Sequence, residues 1–176
     1  MLTFLLYPSC YTYCMNIHLP KPVIFLLSII ASFAAAAIGN IATIPNIPTW
    51  YTTLQQPAIS PPNWVFGPVW TILYFLIGVS LYLFITTEAT VKNQRKRNLY
   101  ALFGAQLALN ALWSITFFGL HLTDAAVGVI LLLLASIILL IIKFWPYSRL
   151  ASKLLIPYAL WVSFATYLTI SIAVLN

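Results

Sequence analysis

Apolar residues in this chain come in five unbroken runs, covering residues 22–43, 65–87, 98–120, 125–145 and 153–175. Each run is about 20 residues or slightly longer, which at a rise of ~1.5 Å per residue matches a hydrocarbon core of ~30 Å. The runs show no two-residue alternation. A lipid-exposed backbone must also satisfy its own hydrogen bonds, so the pattern predicts helices and not strands. Polar joints separate the runs at 45–64, 88–97, 121–124 and 146–152. Three joints are short, so consecutive helices should be antiparallel neighbours. The first joint is long and carries prolines at 45, 48, 57, 61 and 62. Proline fixes φ and removes a donor, so this joint is expected to be a stiff, folded cap over one end of the bundle and not a regular helix. The predicted fold class is an all-α membrane protein, a five-transmembrane-helix bundle with a long proline-rich first loop. A tail at 1–21 precedes a single membrane domain at 22–176.

Composition agrees with lipid as the solvent. Hydrophobic residues make up 62% of the 176 positions and charged residues 6%, against about 25% charged in soluble domains. A net charge of +6 is no nucleic-acid signal here, because the eight Lys and Arg residues are shared among three short segments and form no dense basic face. Topology accounts for them better. With a cytoplasmic N-terminus, Lys21, the Lys92/Arg95/Lys96/Arg97 cluster, and Lys143, Arg149 and Lys153 all fall inside. The positive-inside rule then puts the 88–97 loop in the cytoplasm and the 45–64 loop on the opposite side.

Cys10 and Cys14 precede the first run, without His or carboxylate neighbours, and make a poor metal site. Residues 1–14 read either as a tail or as an over-called upstream start, since Met15 opens an ordinary short leader to a membrane protein. No basic n-region precedes Lys21, so no cleavable signal peptide is expected.

Polar and aromatic residues within the runs fall on shared faces. Gln106, Asn110, Trp113 and Phe117 are spaced i, i+4, i+7, i+11 on the third run. Two amides in hydrocarbon are costly unless they face protein, water or ligand, so this face should point into the bundle. Interhelical hydrogen bonding would explain it as well as a ligand site would. Phe66, Trp70 and Tyr74 share a face of the second run, and Tyr158, Trp161, Ala165 and Leu168 a face of the fifth. Trp50, Trp64 and Trp145 lie near predicted ends and fit the interfacial belt, whereas Trp70, Trp113 and Trp161 lie deeper. These faces read either as aromatic core packing or as an aromatic-walled cavity for a flat apolar ligand. Small residues at Ala31, Ala35 and Gly39, and at Ala101, Gly104, Ala105 and Ala108, are spaced for close helix approach and suggest a homodimer through the first or third helix.

Machinery for catalysis is missing from the sequence. The two carboxylates, Glu88 and Asp124, lie at run ends, and Asp124 suits the N-cap or first turn of the fourth helix. There is no carboxylate pair, metal cluster, phosphate loop or nucleophile–base arrangement. His18 and His121 sit at membrane edges, where solvated histidine is the simpler reading.

Three motifs together carry a resemblance. Residues 50–57 (WYTTLQQP) and 60–74 (SPPNWVFGPVWTILY), then Gln106 to Asn110 with Trp113 and Phe117 to Gly119, then 157–161 (PYALW) and 164–168 (FATYL), closely resemble the TspO/MBR family. These are the tryptophan-rich sensory proteins, related to the translocator protein or peripheral-type benzodiazepine receptor. The resemblance covers residues 22–176. It implies five helices around a cavity capped by the first loop, and binding of porphyrins such as protoporphyrin IX and haem as ligand, with no cofactor required. It further implies that Trp50, Tyr51 and Pro61 form a lid and that Trp70, Asn110, Trp113, Trp161, Ala165 and Leu168 line the cavity. Three readings of function follow: a porphyrin-binding, transport-linked receptor or sensor; light- and oxygen-dependent porphyrin breakdown, with Trp70 and Trp161 as reactive indoles; or a regulatory membrane scaffold. The absence of acid–base groups favours binding. Gln56, Ala58 and Ile59 depart from the family's loop pattern, where a lysine and an aromatic usually stand. Val129 replaces a carboxylate common in relatives. No basic residue follows Tyr167, so the C-terminal cholesterol consensus is not expected, while Arg97, Tyr100 and Leu102 fit only its inverted form.

Overall fold

The computed structural model describes residues 19–87 and 93–176. Cys10, Cys14, the Met15 start, His18, Glu88 and Lys92 lie outside the described residues. Six α-helices make up the described chain: α1 (Lys21–Asn46), α2 (Phe66–Thr87), α3 (Asn93–Ser114), α4 (Thr123–Phe144), α5 (Arg149–Leu154) and α6 (Ile156–Leu175). Among the described residues five helical segments are long and apolar enough to span a bilayer, the fifth being α5 and α6 together.

The last span therefore starts earlier than the apolar run suggests and is broken. Residues 149–152 belong to a helix and not to a joint. Ser148 caps α5, its Oγ accepting from the Ala151 N–H at 3.3 Å. Pro157 follows the break at Leu155 and has no N–H to continue the ladder from α5. The first span is longer than its run, reaching Asn46 with Pro45 inside its last turn. Asp124 lies in the first turn of α4, whose N-cap position is Leu122.

Helix neighbours follow a closed order, α1–α2–α5/α6–α4–α3 and back to α1. Close approach of α1 depends on small residues. A methyl on Gly78 would lie 2.7 Å from Ile29 Cδ1, and one on Gly39 would lie 3.0 Å from Ser114 Oγ. Ala35 and Gly39 are thus used up inside the bundle, while Ala101, Gly104, Ala105 and Ala108 face outward on α3.

The basic residues on described elements collect at one end, where α1 and α3 begin, α4 ends and α5 lies. At that end Phe84 of α2 stacks on Phe144 of α4 with centroids 4.1 Å apart and rings 4° from parallel, and Phe103 of α3 lies parallel beyond it. Ser80 Oγ donates to the Ala151 carbonyl at 2.8 Å, fastening α2 to α5.

The long first joint folds over the opposite end. Single 3₁₀ turns form at Tyr51–Thr53 and Asn63–Val65, and the intervening segment is irregular, as its prolines require. The C-terminal residue latches it: Gln55 N–H donates to Asn176 Oδ1 at 2.9 Å, and Asn176 Nδ2 donates back to the Gln55 carbonyl at 3.1 Å. Beside this cap, His121 adopts a left-handed φ of 58°, stacks on Trp50 at 4.1 Å and meets Asn46 Oδ1 at 3.2 Å. The α3–α4 joint is so short that one residue must reverse the chain, and histidine is among the side chains that tolerate that conformation.

Candidate ligand-binding site

The end of α3 decides what lies beneath the cap. Ile115–Gly119 is a π-helical turn, and such turns recur at functional sites. Its wider turn, with less rotation per residue, lets Thr116, Phe117 and Phe118 all turn inward and be buried in succession. Tyr51 comes down onto them, 6.3 Å from Phe117 and 5.7 Å from Phe118, and is itself 3% exposed. Burial pushes the Tyr51 phenol above its ordinary range, with the Ser60 hydroxyl partly offsetting the shift.

An aromatic wall descends from the cap. Trp113 stacks on Phe117 at 5.9 Å, Trp70 lies 6.2 Å from Trp113, and Tyr74 stacks on Trp70 at 5.5 Å. Two voids flank the wall. One of about 20 Å³ is lined by Tyr51, Phe66, Trp113, Phe117, Ala165 and Leu168, among others. The other, about 30 Å³, is bounded by Asn40, Thr43, Phe66, Trp70, Tyr74 and Trp113. A lateral groove of about 230 Å³ between α1 and α2 shares Asn40, Thr43, Ile47, Phe66, Trp70 and Tyr74 with the second void. The groove on the outer side of α1 and α2 thus adjoins the void that borders Trp113.

Below the wall the polar face of α3 closes on itself. Tyr74 O–H donates to Asn110 Oδ1, Asn110 Nδ2 donates to Tyr158 Oη at 2.9 Å, and Tyr158 O–H donates to Gln106 Oε1 at 3.1 Å. Ser32 Oγ adds a bond to the Tyr74 carbonyl at 2.7 Å. The network ties α1, α2, α3 and α6 together. Four buried side-chain polar atoms among the described residues are left without partners: Ser60 Oγ in the cap, Gln106 Nε2, Trp113 Nε1 and Trp161 Nε1. Such orphans are rare in native interiors and each calls for an explanation.

The positions singled out from sequence therefore separate into groups. Tyr51, Trp113, Ala165 and Leu168 meet at one void, and Trp70 joins Trp113 at the other. Asn110 is 1% exposed and committed to the network. Trp161 packs edge-on against Phe66 at 6.1 Å and lines neither void. Trp50 stacks on His121 and meets Phe117 edge-on, while Pro61 is half-buried in the cap. Trp64 and Trp145 are 74% and 43% exposed. The sequence reading missed the contribution of α1: Ala36, Asn40, Thr43 and Ile47, spaced i, i+4, i+7, i+11, form one wall of the groove. Asn40 and Thr43, an amide and a hydroxyl on one face near the end of the first apolar run, are the available signal.

The chain matches the TspO/MBR family over residues 28–175. It belongs to the TspO/MBR family. A tryptophan-rich protein TspO of Archaeoglobus fulgidus is 43% identical over 149 residues, covering 85% of this chain and 94% of that one. Its counterpart in Chlorobaculum tepidum is 39% identical over 157 residues, covering 89% and 98%. The translocator protein of Homo sapiens is 36% identical over 119 residues, covering 68% and 70%. This member of the TspO/MBR family is a multi-pass membrane protein whose relatives carry sensor and translocator names.

Proposed function

We propose that this chain is a membrane receptor that takes a porphyrin-type ligand between the cap and the Trp70/Trp113 wall. The observation that carries the reading is the position of Trp113. It lines both voids, continues an aromatic wall to Trp70, and holds a buried indole N–H with no partner. Flat faces of indole and phenyl suit a flat π-system, and an orphan donor is satisfied by an acceptor that arrives with the ligand.

Size sets the manner of entry. Ligand sites commonly measure about 300–1,000 Å³, while the groove measures about 230 Å³ and the voids about 30 and 20 Å³. A porphyrin therefore enters only if the cap lifts or α1 moves away from α2, and the groove beside Trp70 is the route from the bilayer. Asn40 offers its amide N–H₂ to the ligand's carboxylate edges, while the Thr43 hydroxyl donates to the Gly39 carbonyl at 3.1 Å. Among the described residues no His, Cys or Met lines the groove or either void; of the two phenols that do, Tyr74 Oη is committed to Asn110 and Tyr51 is buried under the cap. Since haem iron takes such axial ligands, the donor set suits the metal-free protoporphyrin better than haem.

Absorbance titration of the purified protein with protoporphyrin IX tests the reading. Trp113→Ala and Trp70→Ala should each weaken binding roughly tenfold, the effect of losing an aromatic contact of about 1 kcal/mol or somewhat more. Trp145→Ala should change it little. Wild-type affinity in both wall variants, at unchanged helicity, would return these tryptophans to core packing.

A further inference from the structure

The basic end of the bundle holds a second cavity that the porphyrin reading does not use. A groove of about 600 Å³ between α3 and α4 is lined by Arg95, Asn98, Leu99, Leu102, Leu139, Ile142, Lys143, Pro146 and Tyr147. That volume is in the range of ligand sites. Leu139 and Ile142 are 42% and 59% exposed, so the trough opens sideways into the hydrocarbon.

Its rim is made of donors. Arg95 Nη1 donates to Tyr147 Oη at 3.0 Å, which leaves the Tyr147 O–H and the other guanidinium N–H groups to point elsewhere. Gln94 Nε2 donates to Asn98 Oδ1 at 3.1 Å, which leaves the Asn98 amide N–H₂ as a donor. Lys143 adds a second full charge. Asp124 is the one carboxylate side chain among the described residues. It starts α4 at the far end, roughly 28 Å from Lys143 at the α-helical rise. Neither cation finds a carboxylate side chain among the described residues, so none of these side chains neutralises the rim.

We propose that this groove binds one anionic phospholipid of the surrounding bilayer. Its phosphate sits on Arg95, Lys143, Tyr147 and Asn98, and one acyl chain lies along Leu102, Leu139 and Ile142. A rim of donors and positive charge over an apolar trough complements a phosphate diester over a hydrocarbon tail. A zwitterionic lipid matches it less well, because its headgroup brings a cation beside two cations.

Native mass spectrometry of the full chain in detergent, with equal dioleoyl phosphatidylglycerol and dioleoyl phosphatidylcholine, tests this. One phosphatidylglycerol should be retained in preference, by about fivefold for each groove cation. Arg95→Gln with Lys143→Gln should bring the two lipids near parity, and Lys143→Gln alone, which leaves the Arg95–Tyr147 bond intact, should lose about fivefold. Arg149→Gln with Lys153→Gln removes the same charge outside the groove and should keep most of the preference. Leu139→Trp fills the trough and should lower retention without any change of charge. An equal fall in the Arg149/Lys153 pair would mean diffuse surface attraction and overturn the site. So would full displacement of the lipid by millimolar inorganic phosphate, which has a headgroup anion and no chain, or equal retention of both lipids by the wild-type protein.

Discussion

Inside the bundle the two ends are packed differently, the large groove of the basic end lying on its outer side between α3 and α4. At the basic end Phe103, Phe144 and Phe84 lie in parallel layers, Phe84, Phe144 and Ala151 are fully buried, and Ser80 and Ser152 hydroxyls find backbone carbonyls on neighbouring elements. At the capped end the aromatics leave voids between them and strand the Trp113 N–H. In lipid, helix association depends on packing and interhelical hydrogen bonds more than on the hydrophobic effect. The basic end therefore holds the helices together. The capped end gives up packing and polar satisfaction where a ligand could restore both.

The sharpest way to break this contrast is a pair of aromatic changes. Phe144→Ala should cost on the order of 3–5 kcal/mol of unfolding free energy, because it empties a fully buried position between the parallel rings of Phe84 and Phe103. Trp113→Phe keeps most of the ring volume and removes an unpartnered donor, so its cost should stay under about 1 kcal/mol. Equilibrium unfolding in mixed micelles measures both. Similar losses would mean that the capped end is as structural as the basic end.

Between the two ends lies the polar network, and Tyr158→Phe sharpens its role. The change removes the donor to Gln106 and the acceptor for Asn110 at a site with no exposure. A loss of about 1–3 kcal/mol is expected from the stranded amides. A double-mutant cycle with Asn110→Ala should give a coupling of about 0.6 kcal/mol, as measured for such bonds in other membrane bundles.

Smaller effects are expected at the cap itself. Asn176→Ala removes both bonds to Gln55, so amide exchange across residues 50–64 should quicken by roughly fivefold, the equivalent of about 1 kcal/mol for a net hydrogen bond. Exchange in α4 should not change. If protoporphyrin IX binds as proposed, saturating ligand should slow exchange across the same residues.

The smallest signal is a titration. Burial raises the Tyr51 phenol above its ordinary value near 10. A raised folded-state value means that the closed cap is favoured while the phenol is neutral. That advantage begins to fall as pH rises past about 10 and is lost as pH passes the folded value. Carbon-13 spectra of tyrosine-labelled protein, assigned with Tyr51→Phe, should show a midpoint above 10 that moves back down in Asn176→Ala. A midpoint at the free-tyrosine value would mean that Tyr51 is not held under the cap.

Much of this architecture can be read directly from residue types. Five apolar runs determine five spans, because a backbone in lipid must close its own hydrogen bonds and about 20 residues cover the core. The inward face of α3 is legible because amides at Gln106 and Asn110 cannot face lipid, and the prolines at 45, 48, 57, 61 and 62 mark the long first joint as a folded cap. Local pattern could not say what the amides meet. Both readings stood open until Tyr74 and Tyr158, 36 and 48 residues away from Asn110, were seen to close the network. It could not reveal the π-turn that brings Phe117 and Phe118 inward together, because backbone pitch is settled by packing against α1 and the cap. Nor could it divide Trp161 from Trp113, since both occupy inward faces and only the orientation of neighbouring helices decides which ring borders a void. Run lengths and residue polarity are properties of one helix in lipid. Voids, stranded donors and the groove at Arg95 and Lys143 are properties of several helices at once, and only the tertiary structure decides them.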